Sequence, residues 1–557
     1  MDNGGLASAL AAARDALSAR GLKHAATFAC ELYAGLPSVL HERVHASPPA
    51  REAIRSTDGV LELARSYFDV SEYARAAHIL EAKRGALSSV EFFLLQYARY
   101  LAGERRKEAM STEMKVVAET TKLTAPSPPK PVNPYLRQLQ EDLSTADENG
   151  QLDAFGLYLY AIVVKQIAGL APGATSDHVQ RLLWRSLQWF PWNWSAWLEL
   201  AQAVQLDTAS PFDVNELSAT CPWMVDLFQV HVLLEQNHGS QALEVLLPLR
   251  KQFPTCQYLL AQTAAAQYHL QDFDQAHESF LALTKADPYR VDQMDLYSNV
   301  LYVKEDKSGL SSLAQHLQHV DKYRPETCCV IGNYYSLKGQ HERAILYFTR
   351  ALTLDPQCLS AWTLIGHEYI ELRNTAAAIE VYRRAIDINA KDYRAWYGLG
   401  QAYEILELIH YSVYYYQKAA AIRPYDARMW CALGGCYEKL PTPQPGHAKM
   451  CYQRAIGNKD AECIAVYRLG RLFQKENNTE KAAEFYQLYW RDRGLTVVDS
   501  PEAASAVLFL AQYFKEKRLY TTATEWCNRL LDRQGPERDE AKAMLQTMRN
   551  LEFTPFS

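Results

Sequence analysis

Small and apolar residues recur along the chain at a fixed interval of 34 residues. The stretches "SAWTLIGHEYIEL" and "RAWYGLGQAYEIL" match at this offset, pairing Trp362 with Trp396, Gly366 with Gly400 and Tyr369 with Tyr403. Strand-like alternation of apolar and polar residues is scarce throughout, so the pattern predicts helices. A period of this length predicts one pair of helices in each repeat.

The same frame continues for four consecutive repeats, which begin near Cys328, Trp362, Trp396 and Trp430. They follow the tetratricopeptide pattern W-x2-L-G-x2-Y, then A-x3-F, then P, although "PTPQPG" delays the second half of the fourth repeat by two residues. Small residues let two helices approach closely, and proline ends the second helix. Weaker copies extend toward both ends. The prediction is an all-α fold, a tetratricopeptide-repeat α-solenoid in which helix hairpins form a right-handed superhelix.

Interruptions of the pattern divide the chain. The segment "TKLTAPSPPKPVNP" has many prolines and no apolar period, which is typical of a flexible loop or linker. The tryptophan-dense run "WRSLQWFPWNWSAW" is interpreted as a core seam between degenerate repeats rather than a ligand-stacking site. The predicted regions are a helical N-terminal repeat region (1–120), the proline-rich loop or linker (121–134), degenerate repeats (135–290), a C-terminal repeat superhelix with a peptide groove (291–550) and a tail (551–557).

Composition places the chain among folded soluble proteins, with 557 residues, 48% hydrophobic and 22% charged residues, and a net charge of -6. Mild acidity gives no reason to expect nucleic acid as a partner. The most apolar stretch, "LYLYAIVVKQIAGL", is interrupted by Lys165 and Gln166 and is too short to span a membrane. The 11 cysteines form no CxxC pair, so neither a zinc ribbon nor a redox site is indicated. They are interpreted as small buried apolar residues in a reducing compartment, the nucleus or cytosol.

No motif indicates catalysis. The string "HERVH" from His41 to His45 matches the HExxH zinc-protease pattern, but "ASPPA" ends any helix at once and no third ligand follows. Phosphate-binding loops, nucleophile elbows and dinucleotide-binding glycine patterns do not occur. We therefore predict no catalytic residue, no metal and no cofactor, and expect that the protein is not an enzyme.

The concave groove of the array is the predicted functional surface. First-helix residues two positions before and one, five and eight positions after the tryptophan position share one helical face, and Glu371 lies just beside it. Carboxylates outnumber bases among them, which favours an extended peptide that carries arginine. About half of these positions could equally be a solvated helix face. The candidate peptide-binding residues are Asn333, Thr363, His367, Glu371, Tyr397, Gln401, Glu404 and Glu438.

Several stretches carry a more specific signal than the repeat pattern. The segments "ARSYFDVSEYARAAHIL", "DPYRVDQMDLYSNVLYV" and "YRPETCCVIGNYYSLKGQHERAILYFTRAL" resemble the eighth subunit of the anaphase-promoting complex, the cell division cycle protein 23 family. The resemblance extends from about Arg20 to about Leu545 and is most specific between Asp287 and Leu440.

This resemblance implies a noncatalytic scaffold subunit of a multisubunit ubiquitin ligase, found in the nucleus and cytoplasm. It implies homodimerisation through the N-terminal repeats, contacts with other subunits of the complex, and a coactivator motif bound by the C-terminal repeats. The alternative is a co-chaperone or other repeat adaptor that binds a short peptide. A co-chaperone would need cations in its groove, where Cys329, Thr363 and Tyr397 stand instead. Neither nucleic acid nor a membrane is expected as a partner.

Overall fold

Antiparallel helix hairpins make up the part of the chain that this computed structural model describes. The described residues are 3–36, 59–83, 87–121, 131–168, 176–203, 221–458, 460, 462–493, 500–531 and 535–552. Within them the chain forms 28 α-helices and no β-strand. The predicted fold class, an all-α tetratricopeptide-repeat α-solenoid, is confirmed.

The chain divides into two compact units, Met1–Arg290 and Val291–Ser557. The helices of the first unit are α1 (Asn3–Ser18), α2 (Lys23–Ala34), α3 (Gly59–Asp69), α4 (Tyr73–Glu81), α5 (Ser89–Thr121), α6 (Leu136–Glu148), α7 (Ala154–Ala168), α8 (Ser176–Trp189), α9 (Trp194–Ala203), α10 (Pro222–Glu235), α11 (Gly239–Gln252), α12 (Gln257–His269) and α13 (Phe273–Ala286). Those of the second unit are α14 (Met294–Val303), α15 (Lys307–Val320), α16 (Pro325–Leu337), α17 (His341–Leu354), α18 (Leu359–Glu371), α19 (Thr375–Ile388), α20 (Tyr393–Ile405), α21 (Ile409–Ile422), α22 (Ala427–Lys439), α23 (Pro445–Gly457), α24 (Ile464–Lys475), α25 (Thr479–Asp492), α26 (Pro501–Glu516), α27 (Tyr520–Leu530) and α28 (Pro536–Glu552).

Short turns join the two helices of most hairpins. A residue with positive φ ends the first helix, as at Gly339 (72°), Arg373 (57°) and Asn477 (60°). The next residue occupies the N-cap position of the second helix, where some side chains accept a backbone hydrogen bond. Asn374, for example, accepts a hydrogen bond from the Ala377 amide at 3.2 Å. The chain therefore reverses within three residues, which holds the paired helices antiparallel.

Glycine allows the helices to approach closely at the positions that repeat in the sequence. The fully buried ring of Tyr382 in α19 lies between Gly366 in α18 and Gly398 in α20. A Cβ atom added at either glycine would lie 2.3 Å from a ring carbon. The Tyr382 ring thus fills a space where both facing helices have no side chain.

Repeat tryptophans also hydrogen-bond to the backbone of the loop that precedes their helix. The indole N–H groups of Trp362, Trp396 and Trp430 donate to the carbonyl oxygen six residues earlier, at 3.0, 2.8 and 2.7 Å. In the first unit Trp197 makes the same bond to the Pro191 carbonyl at 2.8 Å. Trp197 therefore stands at the repeat position, although the surrounding repeat is degenerate.

The tryptophan-dense run belongs to the core of the first unit. Trp184, Trp194 and Trp197 are buried, while Trp189 is exposed. The interpretation as a core seam is confirmed for the three buried rings.

Hairpin α1–α2 packs against helices that lie far along the chain, within the first unit. Phe28 in α2 stacks on Trp194 at the start of α9, with ring centroids 4.7 Å apart. The Arg20 guanidinium donates to Asp153, just before α7, at 2.9 Å. Glu31 pairs with Arg290 at 3.3 Å. These contacts join the first residues of the unit to its last.

Some predicted features lie partly or wholly outside the described residues. The "HERVH" string falls outside them. Of the proline-rich segment 121–134, Thr121 is the last residue of α5, residues 131–134 precede α6, and the others are not described. The described part of the chain contains no helix that is both long and apolar enough to cross a membrane.

Candidate functional site

The candidate peptide-binding residues all lie on first helices of hairpins in the second unit. Helix α16 carries Asn333, and α22 carries Glu438. The others lie on α18 (Thr363, His367 and Glu371) and α20 (Tyr397, Gln401 and Glu404). The repeat frame places them at equivalent turns of successive helices. Their side chains nevertheless have four different environments.

Asn333 and Thr363 are buried and use their hydrogen-bonding groups inside the protein. The Asn333 side-chain amide donates to Ser298 Oγ at 2.8 Å and to Asn299 Oδ1 at 2.9 Å, both in α14. The Thr363 hydroxyl lies 3.0 Å from the Ser360 carbonyl oxygen in its own helix. A buried amide must be satisfied, so Asn333 helps to fix α16 against α14.

His367 and Tyr397 are half-buried and pack on aromatic residues of the second helices. His367 Nδ1 lies 2.9 Å from the Tyr382 hydroxyl. Burial, assisted by the positive charge of Arg394, lowers the pKa of His367 to about 4. The Tyr397 ring packs on Tyr416 with centroids 5.3 Å apart, and burial raises its pKa. At neutral pH the histidine therefore contributes no positive charge to the groove.

Glu404 and Glu438 occupy the same position in consecutive repeats and are already paired. Glu404 accepts a hydrogen bond from Tyr416 at 3.1 Å and from Lys439 at 2.7 Å. Glu438 accepts from the Tyr452 hydroxyl at 2.6 Å. It also lies 3.8 Å from Arg471 and 3.5 Å from Lys475. Cations of the protein itself thus offset both carboxylates.

Glu371 and Gln401 are the candidates that remain available. Glu371 is exposed and Gln401 is half-buried. Neither side chain makes a hydrogen bond or an ion pair with any other described residue. An incoming peptide could therefore bind them without first displacing an internal partner.

No metal centre accompanies this surface. The described residues contain no cluster of three or more histidine, cysteine, aspartate and glutamate side chains that could hold an ion. The chemistry available here is hydrogen bonding, ion pairing and apolar packing.

Comparison with known proteins identifies the lineage of the chain. The family model described as "Anaphase promoting complex subunit 8 / Cdc23" matches residues 5–264, and tetratricopeptide models match residues 325–358 and 366–405. Anaphase-promoting complex subunit 8 of Arabidopsis thaliana is 48% identical over 515 residues, which cover 92% of this chain and 85% of the relative. The chain belongs to the anaphase-promoting complex subunit 8 family.

A second member of the subunit 8 family, from Dictyostelium discoideum, is 42% identical and is covered over 86% of its length. Among solved structures, the crystal structure of the APC/C hetero-tetramer Cut9-Hcn1 matches with a TM-score of 0.58. The match covers 97% of this chain and 95% of that chain. Its 17% identity shows a shared fold alone.

The sequence analysis missed the charged residues that lie just before two of the repeat tryptophans. Asp392 and Asp426 are buried, and each pairs with the arginine two residues later, Arg394 at 3.1 Å and Arg428 at 2.9 Å. Burial alone would raise the pKa of Asp426, but its hydrogen bonds and the charge of Arg428 hold that pKa below its usual value. The signal was the shared D-x-R-x-W pattern in "DYRAW" and "DARMW".

Another carboxylate, Asp295 in α14, was also missed. Ser360 Oγ donates to it at 3.2 Å across two repeats, and burial raises its pKa. Arginines thus stand two residues before Trp396 and Trp430, whereas Ser360 stands two residues before Trp362 and bonds Asp295.

Proposed function

We propose that the protein is a noncatalytic scaffold subunit of an anaphase-promoting complex, a ubiquitin ligase of the cell cycle. Its 48% identity to Arabidopsis subunit 8, spread over 92% of the chain, supports this proposal most strongly. Hairpins with exposed outer helices also suit a subunit that contacts several others.

Affinity purification of the tagged full chain from Arabidopsis cells tests the scaffold proposal. We expect the other subunits of the complex to co-purify in fixed proportion, and the recovered complex to attach ubiquitin to its substrates. An unrelated tetratricopeptide protein with the same tag is the control. Recovery of the chain alone, or with the same proteins as the control, would reject the scaffold role.

We infer that the chain forms homodimers through its first unit. The support is the resemblance to the family and the exposure of large apolar side chains there, including Val70, Trp189 and Leu247. Hairpin α1–α2 already covers part of the aromatic surface, since Phe28 stacks on Trp194. The proposed interface therefore consists of the apolar side chains that stay exposed to solvent in the single chain.

Light scattering on the full chain tests the dimer. Leu247→Glu and Leu346→Glu are matched variants, because both leucines are more than half exposed but lie in different units. We expect Leu247→Glu to shift the mass toward that of a monomer and Leu346→Glu to leave a dimer. A wild-type chain that is monomeric at micromolar concentration would contradict the proposal.

We further propose that the groove of the second unit binds an arginine-bearing motif of a coactivator. Glu371 and Gln401 are available to pair with its guanidinium and backbone. Asn333 and Thr363 support the helices instead, because their polar groups are bonded internally. One buried charge-assisted contact contributes about 1.5–3 kcal/mol, a tenfold to hundredfold change in affinity.

Titration of a coactivator N-terminal peptide separates these roles. Glu371→Lys and Gln401→Ala should weaken binding, whereas Glu380→Lys, an exposed change on the second helix α19, should not. The unfolding free energy of Asn333→Ala must be measured as well, because this change also removes the hydrogen bonds to Ser298 and Asn299. If Glu371→Lys and Gln401→Ala fold and bind like wild type, the groove assignment fails.

The proposed sites of action are the nucleus and cytoplasm. All eleven cysteines are free thiols, and most are buried, which suits a reducing compartment. A fluorescent fusion of the full chain should fill both compartments, and confinement to a secretory organelle would reject the proposal.

A further inference from the structure

The turn between α20 and α21 has a leucine at the position where an asparagine or aspartate caps the second helix in several other hairpins of this chain. At this position Asn374 and Asn478 accept a backbone hydrogen bond, whereas Gln340, Gln444 and Leu519 make no cap. Leu408 stands at this position and makes no cap. A leucine here forgoes the capping stabilisation that asparagine provides to sibling helices.

Leu408 does not compensate for the missing cap by burial. It belongs to a contiguous apolar patch whose members are exposed by about half: Ile405 (51%), Leu406 (43%), Leu408 (46%) and Tyr411 (58%). Equivalent positions to Ile405 in neighbouring repeats carry Glu371, Lys439 and Lys475. The repeat fold therefore does not require an apolar residue at Ile405, and an exposed apolar patch is typical of a binding surface.

A pocket of about 550 Å³ opens at this turn. Its opposite wall contains Lys439 and Pro441, from the end of α22 and the connection after it. That connection, "PTPQPG", is the one that carries the two-residue insertion in the 34-residue frame. The insertion thus supplies a wall of the pocket, whose volume suits one or two large side chains.

The charges around the pocket define the partner further. Glu404 and Lys439 neutralise each other across the wall, with Oε1 and Nζ 2.7 Å apart. Glu407 also lines the pocket, is exposed, and forms no ion pair with any other described residue. The rim therefore keeps one uncompensated negative charge beside an apolar patch.

We propose that this edge pocket is a docking site for a protein segment that presents a large aliphatic or aromatic side chain next to a lysine or arginine. The apolar side chain enters between Leu408, Tyr411 and Pro441, and the cation pairs with Glu407. The site lies at the turn edge of the hairpins. Only Glu404 belongs both to it and to the groove candidates.

Four biotinylated ten-residue peptides in a glycine-serine background test the chemistry. Their two central residues are Leu-Arg, Leu-Glu, Ser-Arg or Ser-Glu, and binding to the full chain is measured by biolayer interferometry. We expect the Leu-Arg peptide to bind at least tenfold more tightly than each of the others. Equal binding of all four, or no binding to any, overturns the proposal.

Two variants test the location without endangering the fold. Leu408→Asn restores the sibling cap, so it should raise the unfolding midpoint while it weakens Leu-Arg binding at least tenfold. Leu519→Asn is the matched control, because Leu519 is also an exposed, non-capping leucine at the start of α27 but lies away from the pocket. It should raise the midpoint and leave binding unchanged. Equal binding by Leu408→Asn and wild type rejects the site.

Charge reversal provides a second criterion. Glu407→Arg fits the backbone, since Arg373 and Arg518 occupy the same turn position at φ 57° and 62°. The variant should prefer the Leu-Glu peptide to the Leu-Arg peptide. An unchanged preference shows that Glu407 does not face the ligand and overturns the charge assignment.

Discussion

At the residue scale, a buried tyrosine hydroxyl on the second helix of a hairpin determines which residue on the first helix must be polar. Tyrosine hydroxyls of second helices donate to the residue eight positions after the tryptophan position, as Tyr416 does to Glu404 and Tyr486 to Gln474 at 2.8 Å. Where that residue is Ile370, the Tyr382 hydroxyl meets His367 instead. A buried hydroxyl needs a hydrogen-bond partner, so the first helix carries a polar residue within reach of the tyrosine on the second helix.

Removing one such hydroxyl should measure the contact. Tyr416→Phe keeps the buried ring and the Glu404–Lys439 pair but loses a hydrogen bond, so we expect a loss of about 1 kcal/mol in urea-unfolding free energy. Tyr425→Phe is the control, because Tyr425 is 73% exposed. An equal effect of both changes would show that the Tyr416 hydroxyl is unimportant for stability.

His367 gives the second unit a pH-dependent stability. Its pKa of about 4 lies below the ordinary value of 6.5, so the unfolded chain binds the proton more readily than the folded one. Stability from this residue is complete above pH 6.5 and is lost as pH falls from there toward 4. We expect the wild-type unfolding midpoint to fall more steeply across this window than that of His367→Gln. Parallel pH profiles would contradict the assignment.

At the element scale, the distance between paired helices depends on small residues. Gly366, Gly400 and Gly434 face the rings of Tyr382, Tyr416 and Tyr452 in their own hairpins. A side chain there would need the ring or the helix to move, and overpacked cores lose stability for that reason.

Two glycine substitutions separate packing from helix propensity. Gly366→Ala places a Cβ 2.3 Å from the Tyr382 ring and should cost about 1–3 kcal/mol. Gly446→Ala in α23 meets nothing within 4 Å and should raise stability by about 0.5–1 kcal/mol. Thermal unfolding of both variants checks the opposite signs. Stabilisation by Gly366→Ala would refute the packing argument.

At the scale of the whole molecule, the two units differ in how far apart along the sequence their contacting residues lie. In the second unit the ties join neighbouring or nearby repeats, such as Asp295 with Ser360. In the first unit hairpin α1–α2 meets residues more than 100 positions away, as Arg20 does Asp153. Such contacts close a long stretch of chain and give the first unit a core that stacking alone does not provide.

Loss of the Phe28 ring should therefore affect the entire first unit. Phe28→Ala removes its stacking on Trp194 and should cost about 3–5 kcal/mol, with a red shift of tryptophan emission as Trp194 becomes wetter. Thr27→Ala, on the exposed side of α2, should change neither signal. Unchanged emission in Phe28→Ala would show that α1–α2 does not cover Trp194 in solution.

The sequence by itself determined the hairpin architecture and the helices that carry the candidate residues. The 34-residue period, the glycines opposite aromatic rings and the left-handed turns act within one repeat or between adjacent repeats, so a linear pattern records them. The tryptophan-dense run, rather than the period, predicted a core seam that includes the buried Trp197.

Only the tertiary structure decided which candidate side chains are available. Asn333 is bonded to α14, and Glu404 is paired with Lys439, while Glu371 and Gln401 have no partner among the described residues. The docking of α1–α2 and the exposure of Leu408 likewise could not be predicted from a period. The physical reason is that burial and pairing depend on how hairpins stack across many residues, whereas periodicity reports only which face of a helix a residue occupies.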